Sequence, residues 1–247
     1  MVTMERNLVI FDCDGVLVDS EPIAQQVTAD LLGAHGLVLS AAEAESHSKG
    51  LSDPAIVAKI RTDWGVTLPP DFISRLETAV WAHLEVNLQP VAGVAQAVAA
   101  VVRSGSALCV ASSSPRESTT RKLAITGLLP HFEDRLHSAD QVPRGKPFPD
   151  VFLYAASMTG FAPEECVVVE DSVPGVQAGL AAGMRVLAYA SMGGAEALQT
   201  AGGSAFTHMD ELPALLGNQV ASQPPRSRDA SRGGAPAIAS CTSHRGC

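Results

Sequence analysis

Apolar residues fall in short runs separated by stretches with a different spacing. The clearest strand-like segments are Leu8–Phe11, Ala107–Ala111, Cys166–Glu170 and Arg185–Tyr189, with a weaker one at Arg135–His137. A continuous apolar run of four or five residues bounded by Gly or polar residues reads as a buried strand. Between these segments the apolar positions recur every three or four residues, and Val94–Val102 reads as an Ala/Val-rich buried helix. Strands alternating with helices predict an α/β fold, a Rossmann-like doubly wound parallel sheet with helices on both faces.

The first two strands are separated by nearly a hundred residues, far more than a single crossover helix needs. The intervening pattern is helical. Ile23, Val27 and Leu31 repeat at four-residue spacing, with Pro22 in the first turn and Gly33 and Gly36 near the end. Ser40 and Glu43 have the spacing of a capping box. Ile56, Ile60 and Trp64 form a second stripe between Ser52 and Gly65, and Phe72, Leu76, Val80 and Leu84 a third after Pro69-Pro70. These stripes predict an inserted α-helical cap domain over 19–87, with 1–18 and 88–217 forming the Rossmann-like core. Beyond residue 217 the chain is rich in Ser, Arg, Gly and Pro and poor in large apolar residues. That composition predicts a disordered tail over 218–247.

Composition narrows the partners. A length of 247 residues, 46% of them hydrophobic, suffices for one sizeable core and a small accessory domain. A net charge of −9 without a basic stripe argues against nucleic acid. No apolar run reaches about 18 residues, so no membrane helix is expected. Glu5-Arg6 followed by a strand is unlike a signal peptide, which points to the cytoplasm. The five cysteines show no CxxC pairing. Cys13, Cys109 and Cys166 lie in strand-like segments and read as buried hydrophobes, and Cys241 and Cys247 as incidental. Cys13 has no neighbouring His or Lys to activate it as a nucleophile.

Chemistry-bearing residues gather at predicted strand ends. Asp12 and Asp14 follow the first strand, and two carboxylates so close are costly unless a cation sits between them. Ser112-Ser113-Ser114-Pro115-Arg116-Glu117 follows the second strand, with Ser114 and Glu117 at capping-box spacing. A hydroxyl-rich turn feeding a helix N-terminus suits an anion. Lys146 lies between Gly145 and Pro147, ahead of a helix, and Glu170-Asp171-Ser172 follows Val167–Val169. Together these supply oxygen ligands for Mg²⁺, donors for phosphate oxygens, a cation and a carboxylate nucleophile, the parts of a phosphoryl-transfer site.

Four segments, in this order, resemble the motifs of the haloacid dehalogenase superfamily of phosphatases and phosphomutases. They are Phe11-Asp12-Cys13-Asp14-Gly15-Val16-Leu17-Val18-Asp19-Ser20-Glu21, Ser112, Lys146-Pro147-x-Pro149-Asp150, and Glu170-Asp171-Ser172-x-x-Gly175. A helical insert directly after the first motif is similar to the subgroup with a small α-helical cap, typified by β-phosphoglucomutase and sugar-phosphate phosphatases. The resemblance implies that Asp12 attacks phosphorus to form an aspartyl-phosphate, while Asp14 protonates the leaving alcohol and later deprotonates water. It implies Mg²⁺ on the Asp12 carboxylate, the Asp14 backbone carbonyl and Asp171, with Glu170 one layer out, orienting a water on the metal. It further implies that Ser112, Ser113 and Lys146 bind the phosphoryl oxygens. Dehalogenases of this superfamily lack a carboxylate at the second position, so Asp14 favours phosphate chemistry.

The cap bears on the substrate. The mutases carry an Arg shortly after a Lys-Gly pair; here Ser48-Lys49-Gly50-Leu51-Ser52-Asp53 keeps the pair and places Asp53 where the Arg stands. Their His after the first motif is matched by Pro22-Ile23-Ala24. Both departures favour a phosphatase over a phosphohexomutase. Lys49 and Arg116 are the cations available to read a carboxylate or hydroxyls, and His47 reads as a surface residue. The expected partner is a small phosphorylated metabolite, such as a sugar or sugar-acid phosphate, bound by a monomer or weak homo-oligomer. A receiver-like phosphorylation switch is a poorer match, because receivers are about half this length and lack a cap.

Overall fold

The computed structural model describes residues 7–48, 53–191 and 193–217. Lys49, Ser52, Cys241, Cys247 and the tail lie outside the described residues, and the side chains of His47 and Asp53 are also not described.

Six parallel strands form one sheet: β1 (Leu8–Phe11), β2 (Ala107–Ser112), β3 (Leu136–Ser138), β4 (Cys166–Glu170), β5 (Arg185–Tyr189) and β6 (Ser204–Phe206), in the order β3-β2-β1-β4-β5-β6. The chain winds outward from β1 to one edge, returns to β4, and winds outward again. The sheet is therefore the doubly wound one expected, and its switch point lies between β1 and β4. Open α/β sheets bind ligands in that crevice, beyond the carboxyl ends of the strands.

Eleven α-helices occur among the described residues. Those between β1 and β2 are α1 (Glu21–Gly33), α2 (Ala41–Ser48), α3 (Asp53–Trp64), α4 (Phe72–Asn87) and α5 (Val94–Arg103). After β2 come α6 (Arg116–Ile125) and α7 (Leu129–Phe132), then α8 (Asp150–Thr159) after β3 and α9 (Val173–Ala181) after β4. α10 (Ala195–Thr200) precedes β6, and α11 (Leu212–Gly217) closes the described chain.

The apolar runs are continuous because each strand is buried on both faces. Val9 and Phe11 face one core with Val98 of α5 and Leu123 of α6; Leu8 and Ile10 face the other with Phe152 of α8 and Val176 of α9. Two expectations shift. The weak strand at Arg135–His137 lies one residue later, and β2 runs on through Ser112, because the top of β2 pairs with β3 from Val110↔Leu136 to Ser112↔Ser138.

Helices α1–α4 enclose a separate cluster built on Leu32, Leu37, Ile60, Leu68 and Phe72. The Ser40–Glu43 capping box forms: Ser40 N donates to Glu43 at 2.9 Å and Glu43 N to the Ser40 hydroxyl at 3.2 Å. The α4 stripe is divided, with Phe72 and Leu76 in this cluster and Val80 and Leu84 against the main core. The two connections to the sheet domain run side by side. Asp19 N donates to Gln89 O at 3.0 Å, and Val91 N to Leu17 O at 3.0 Å. Arg121 of α6 adds a tie by stacking 4.3 Å over the Trp81 ring and pairing with Glu85, both on α4. Among the described residues no helix is long and apolar enough to cross a membrane.

His137, buried on β3, packs edge-on to Tyr154 at 5.5 Å, and neither ring nitrogen has a hydrogen-bond partner among the described residues. Burial, then the Arg116 charge, pushes its pKa below the ordinary 6.5. A base depressed on folding takes up its proton in the unfolded chain first, so its contribution is full above pH 6.5 and falls as pH drops below it. His137→Phe should therefore gain Tm relative to the natural chain as pH falls from 7 to 5. A difference that does not change with pH would show that His137 does not titrate in this way.

Candidate active site

The ladder extends one residue past β1, where Asp12 N donates to Val169 O at 2.9 Å. Asp12 thus follows the phase of Ile10, as Glu170 follows that of Val168, and both carboxylates leave the sheet on the α8–α9 side. Lys146 enters from the loop before α8. Its ammonium donates to Asp12 Oδ1 at 2.5 Å, to Glu170 Oε1 at 2.7 Å and to the Ala111 carbonyl at 3.2 Å, and lies 4.9 Å from the Phe152 ring centroid. The side chain is only 5% exposed. A lysine so deeply buried is tolerable because opposite charges and acceptors surround it.

Gly15 turns the chain back at φ +76°, with its N–H donating to Val18 O at 2.9 Å. Val16, Leu17 and Val18 are thereby fully buried. A Cβ at Gly15 would stand 2.0 Å from Asp171 Oδ2, so that carboxylate lies directly on the turn that carries the Asp14 carbonyl. Glycine is required there twice, by the positive φ and by the close approach.

The Asp14 side chain points elsewhere. It accepts from Lys122 Nζ at 2.6 Å, from the Ser114 hydroxyl at 2.8 Å and from the Ser20 hydroxyl. Each aspartate therefore has its own lysine. Lys122 was not expected from the sequence, where it sits in the polar stretch Arg116–Lys122. The available signal was its phase: Thr119, Lys122 and Leu123 form the buried face of α6. The capping box expected at Ser114–Glu117 does not form. α6 begins after Pro115 with no side-chain cap, and the Ser114 hydroxyl is committed to Asp14.

Glu170 ties the lysine to the turn that follows β4. Its Oε2 accepts from Asp171 N at 2.8 Å, Ser172 N at 2.8 Å and the Ser172 hydroxyl at 2.9 Å, while Oε1 takes Lys146. With four donors on two oxygens, Glu170 holds Lys146 and the Asp171 turn in place. Ser172 then caps α9 by accepting from Gly175 N at 3.1 Å. A Cβ at Gly175 would meet Glu170 Oε1 at 1.8 Å, so the Glu170 carboxylate fills the space that a side chain there would need.

Ser112 is buried at the end of β2, and its hydroxyl accepts from Ser114 N at 3.0 Å; Ser113 beside it is exposed. Arg116 is not drawn into the cluster: its guanidinium donates to the Asp134 carbonyl at 3.3 Å. The structure thus brings together Asp12, Asp14, Ser112, Lys146, Glu170 and Asp171, and leaves Arg116 aside.

Charge is unevenly balanced across these groups. Burial, opposed by Lys146 and reinforced by Glu170, lifts Asp12 to about 7. Burial, with Asp12 and Glu170 adding, lifts Asp171 to about 9. Burial also raises Asp14, but the Lys122 charge and the donors around it outweigh that and hold it below the usual carboxylate range. Burial and the flanking aspartates keep the Cys13 thiol protonated, which fits a spacer.

The Asp12–Asp171 side is short of positive charge. Among the described residues no donor reaches the Asp171 carboxylate, and no three His, Cys, Asp or Glu side chains converge as a ready metal cage. Two carboxylates beside a backbone carbonyl are instead the partial oxygen set that suits Mg²⁺, which keeps several waters and takes further ligands from a phosphate. The residues present fit that ion.

Fold and site together define an α/β enzyme with a buried carboxylate–lysine centre at the switch point of its sheet. The family model of haloacid dehalogenase-like hydrolases matches residues 7–183, and the chain belongs to that family. It is 30% identical over 208 residues to 6-phosphogluconate phosphatase of Escherichia coli, covering 84% of this chain and 93% of the relative. Hexitol phosphatase B of the same species is 33% identical over 178 residues, covering 71% and 80%. A Deinococcus radiodurans HAD family hydrolase, solved with bound phosphate and sodium, superposes with a TM-score of 0.78 at 34% identity, covering 87% of this chain and 96% of the other. The chain is a hydrolase of the phosphatase type.

Proposed function

We propose that the protein is a Mg²⁺-dependent phosphatase that hydrolyses a small sugar or sugar-acid phosphate monoester through an aspartyl-phosphate on Asp12. The observation that carries this reading is the separation of the two aspartates. Asp12 is held by Lys146 as a nucleophile, and Asp14 is turned away from it and held by its own donors as an acid–base. The named activities of the two E. coli relatives support the substrate class.

In the first half-reaction an Asp12 oxygen bonds to phosphorus as the ester P–O bond breaks, and Asp14 gives its proton to the departing alkoxide. Asp14 lies below the usual carboxylate range in the free site; a phosphoryl group between the aspartates adds negative charge that pushes it back up. In the second half-reaction Asp14 takes a proton from water, the water oxygen bonds to phosphorus, and Asp12 is released with inorganic phosphate. Lys146 offsets the repulsion between the carboxylate and the phosphoryl oxygens. The Ser112 hydroxyl accepts from Ser114 N, which leaves its own proton to donate to a phosphoryl oxygen. Mg²⁺ on the Asp12 and Asp171 carboxylates and the Asp14 carbonyl supplies further positive charge to the same oxygens. The helical cap over 19–87 is assigned the reading of the non-reacting part of the substrate.

Phosphate release from a panel of sugar, sugar-acid, polyol and nucleotide monophosphates, with Mg²⁺ present, tests this reading. Sugar-acid and polyol phosphates are expected to be the fastest. Preference for nucleotides would overturn the substrate class. Bisphosphate-primed conversion of a hexose 1-phosphate to the 6-phosphate without net phosphate would assign the chain as a phosphohexomutase instead.

A further inference from the structure

We infer that Lys122 is the positioning residue for the general acid, holding the Asp14 carboxylate in the orientation that meets the leaving oxygen; this rests on the phosphatase reading above. Three segments converge on that carboxylate: Ser20 at the entry to α1, Ser114 between β2 and α6, and Lys122 from within α6. The two serines are short and neutral. Lys122 is the one cation among the described residues within ion-pair distance of Asp14. Its four-carbon stem is buried, with the side chain 10% exposed, so the ammonium has little freedom to serve elsewhere.

Lys146 cannot replace it. That ammonium is committed to Asp12, Glu170 and the Ala111 carbonyl. Lys122 also stands 3.5 Å from the Ser114 hydroxyl, so besides donating to Asp14 itself it braces one of the two serine donors. Removing it leaves Asp14 with two hydroxyls, each able to turn, and with no charge to fix its torsion. A carboxylate that must be within hydrogen-bond reach of one oxygen loses rate when it is displaced.

A purely structural salt bridge would lower activity on every substrate alike. A positioning role does not, because leaving groups differ in their need for a proton. The test compares kcat/KM for p-nitrophenyl phosphate, whose nitrophenolate departs unprotonated, with that for the sugar or polyol phosphate fastest in the panel above. For Lys122→Met the alkyl phosphate is expected to lose about 10- to 100-fold, and p-nitrophenyl phosphate less than about 3-fold. Lys122→Arg should recover much of the alkyl rate. Both substrates are read on one sample, so the ratio is independent of the folded fraction; Lys122→Gln supplies it if the Met variant does not fold. An unchanged ratio overturns the inference. Asp14→Asn, measured alongside, separates the two levels. A ratio shifted by Asp14→Asn but not by Lys122→Met sinks the role of Lys122 alone, whereas a ratio unmoved by Asp14→Asn sinks the general-acid reading itself.

Discussion

Asp12→Asn is expected to abolish phosphate release while leaving the fold intact. An amide has no anionic oxygen to attack phosphorus, so kcat should fall on the order of 10⁴-fold or more, the scale seen when a covalent nucleophile is removed. The substitution is nearly isosteric, and its carbonyl oxygen can still accept from Lys146, which donates to Asp12 at 2.5 Å in the natural chain. Asp12 is also one reason that the Asp171 carboxylate is raised to about 9, so removing its charge relieves repulsion. The variant without metal should melt no lower than the natural chain. Phosphate release and thermal melting on one preparation decide the matter. Residual turnover above a few per cent in a folded variant means that another group is the nucleophile, and a large fall in Tm means that Asp12 is chiefly structural.

Most of this site was legible because each motif is tied to the end of a strand that declares itself. Leu8–Phe11 and Val167–Val169 are buried on both faces, so hydrophobicity alone locates them, and the residues that follow must lie at one sheet edge. The parts that were not legible depend on contacts distant in sequence. Ser114 has a local pattern that reads as a helix cap, yet its partner is Asp14, 100 residues away. Lys122 looks like a solvated charge in a polar helix, and its burial follows from α6 packing against the sheet with Asp14 beneath it. Strand β6 was missed because it is three residues, Ser204–Phe206, after a Gly pair at the edge of the sheet, where pairing with β5 rather than an apolar run defines it. Short edge strands carry little periodicity of their own.

Removing the metal should be as damaging as removing the nucleophile, and should leave a trace in stability that has a definite sign. Chelation is expected to reduce phosphate release to background and added Mg²⁺ to restore it; activity indifferent to a chelator would end the metal assignment. Without a cation, Asp12 near 7 and Asp171 near 9 both lie above the ordinary carboxylate value of 3.8. A carboxyl raised on folding holds a proton that the unfolded chain has already released. Its contribution is therefore complete below the unfolded value and is lost as pH rises through the folded one. The metal-free protein should lose Tm between pH 6 and pH 9 from these two groups. With each kcal/mol worth about 2–4 °C in a domain of this size, a loss of a few kcal/mol is readily seen. Cation binding needs both carboxylates ionised, so it must displace the protons they still hold at low pH. The Tm gained on adding Mg²⁺ should accordingly be larger at pH 8 than at pH 6, and it should shrink in Asp171→Asn, where one ligand and one raised carboxyl are gone together. An equal gain at both pH values would place the cation away from this pair.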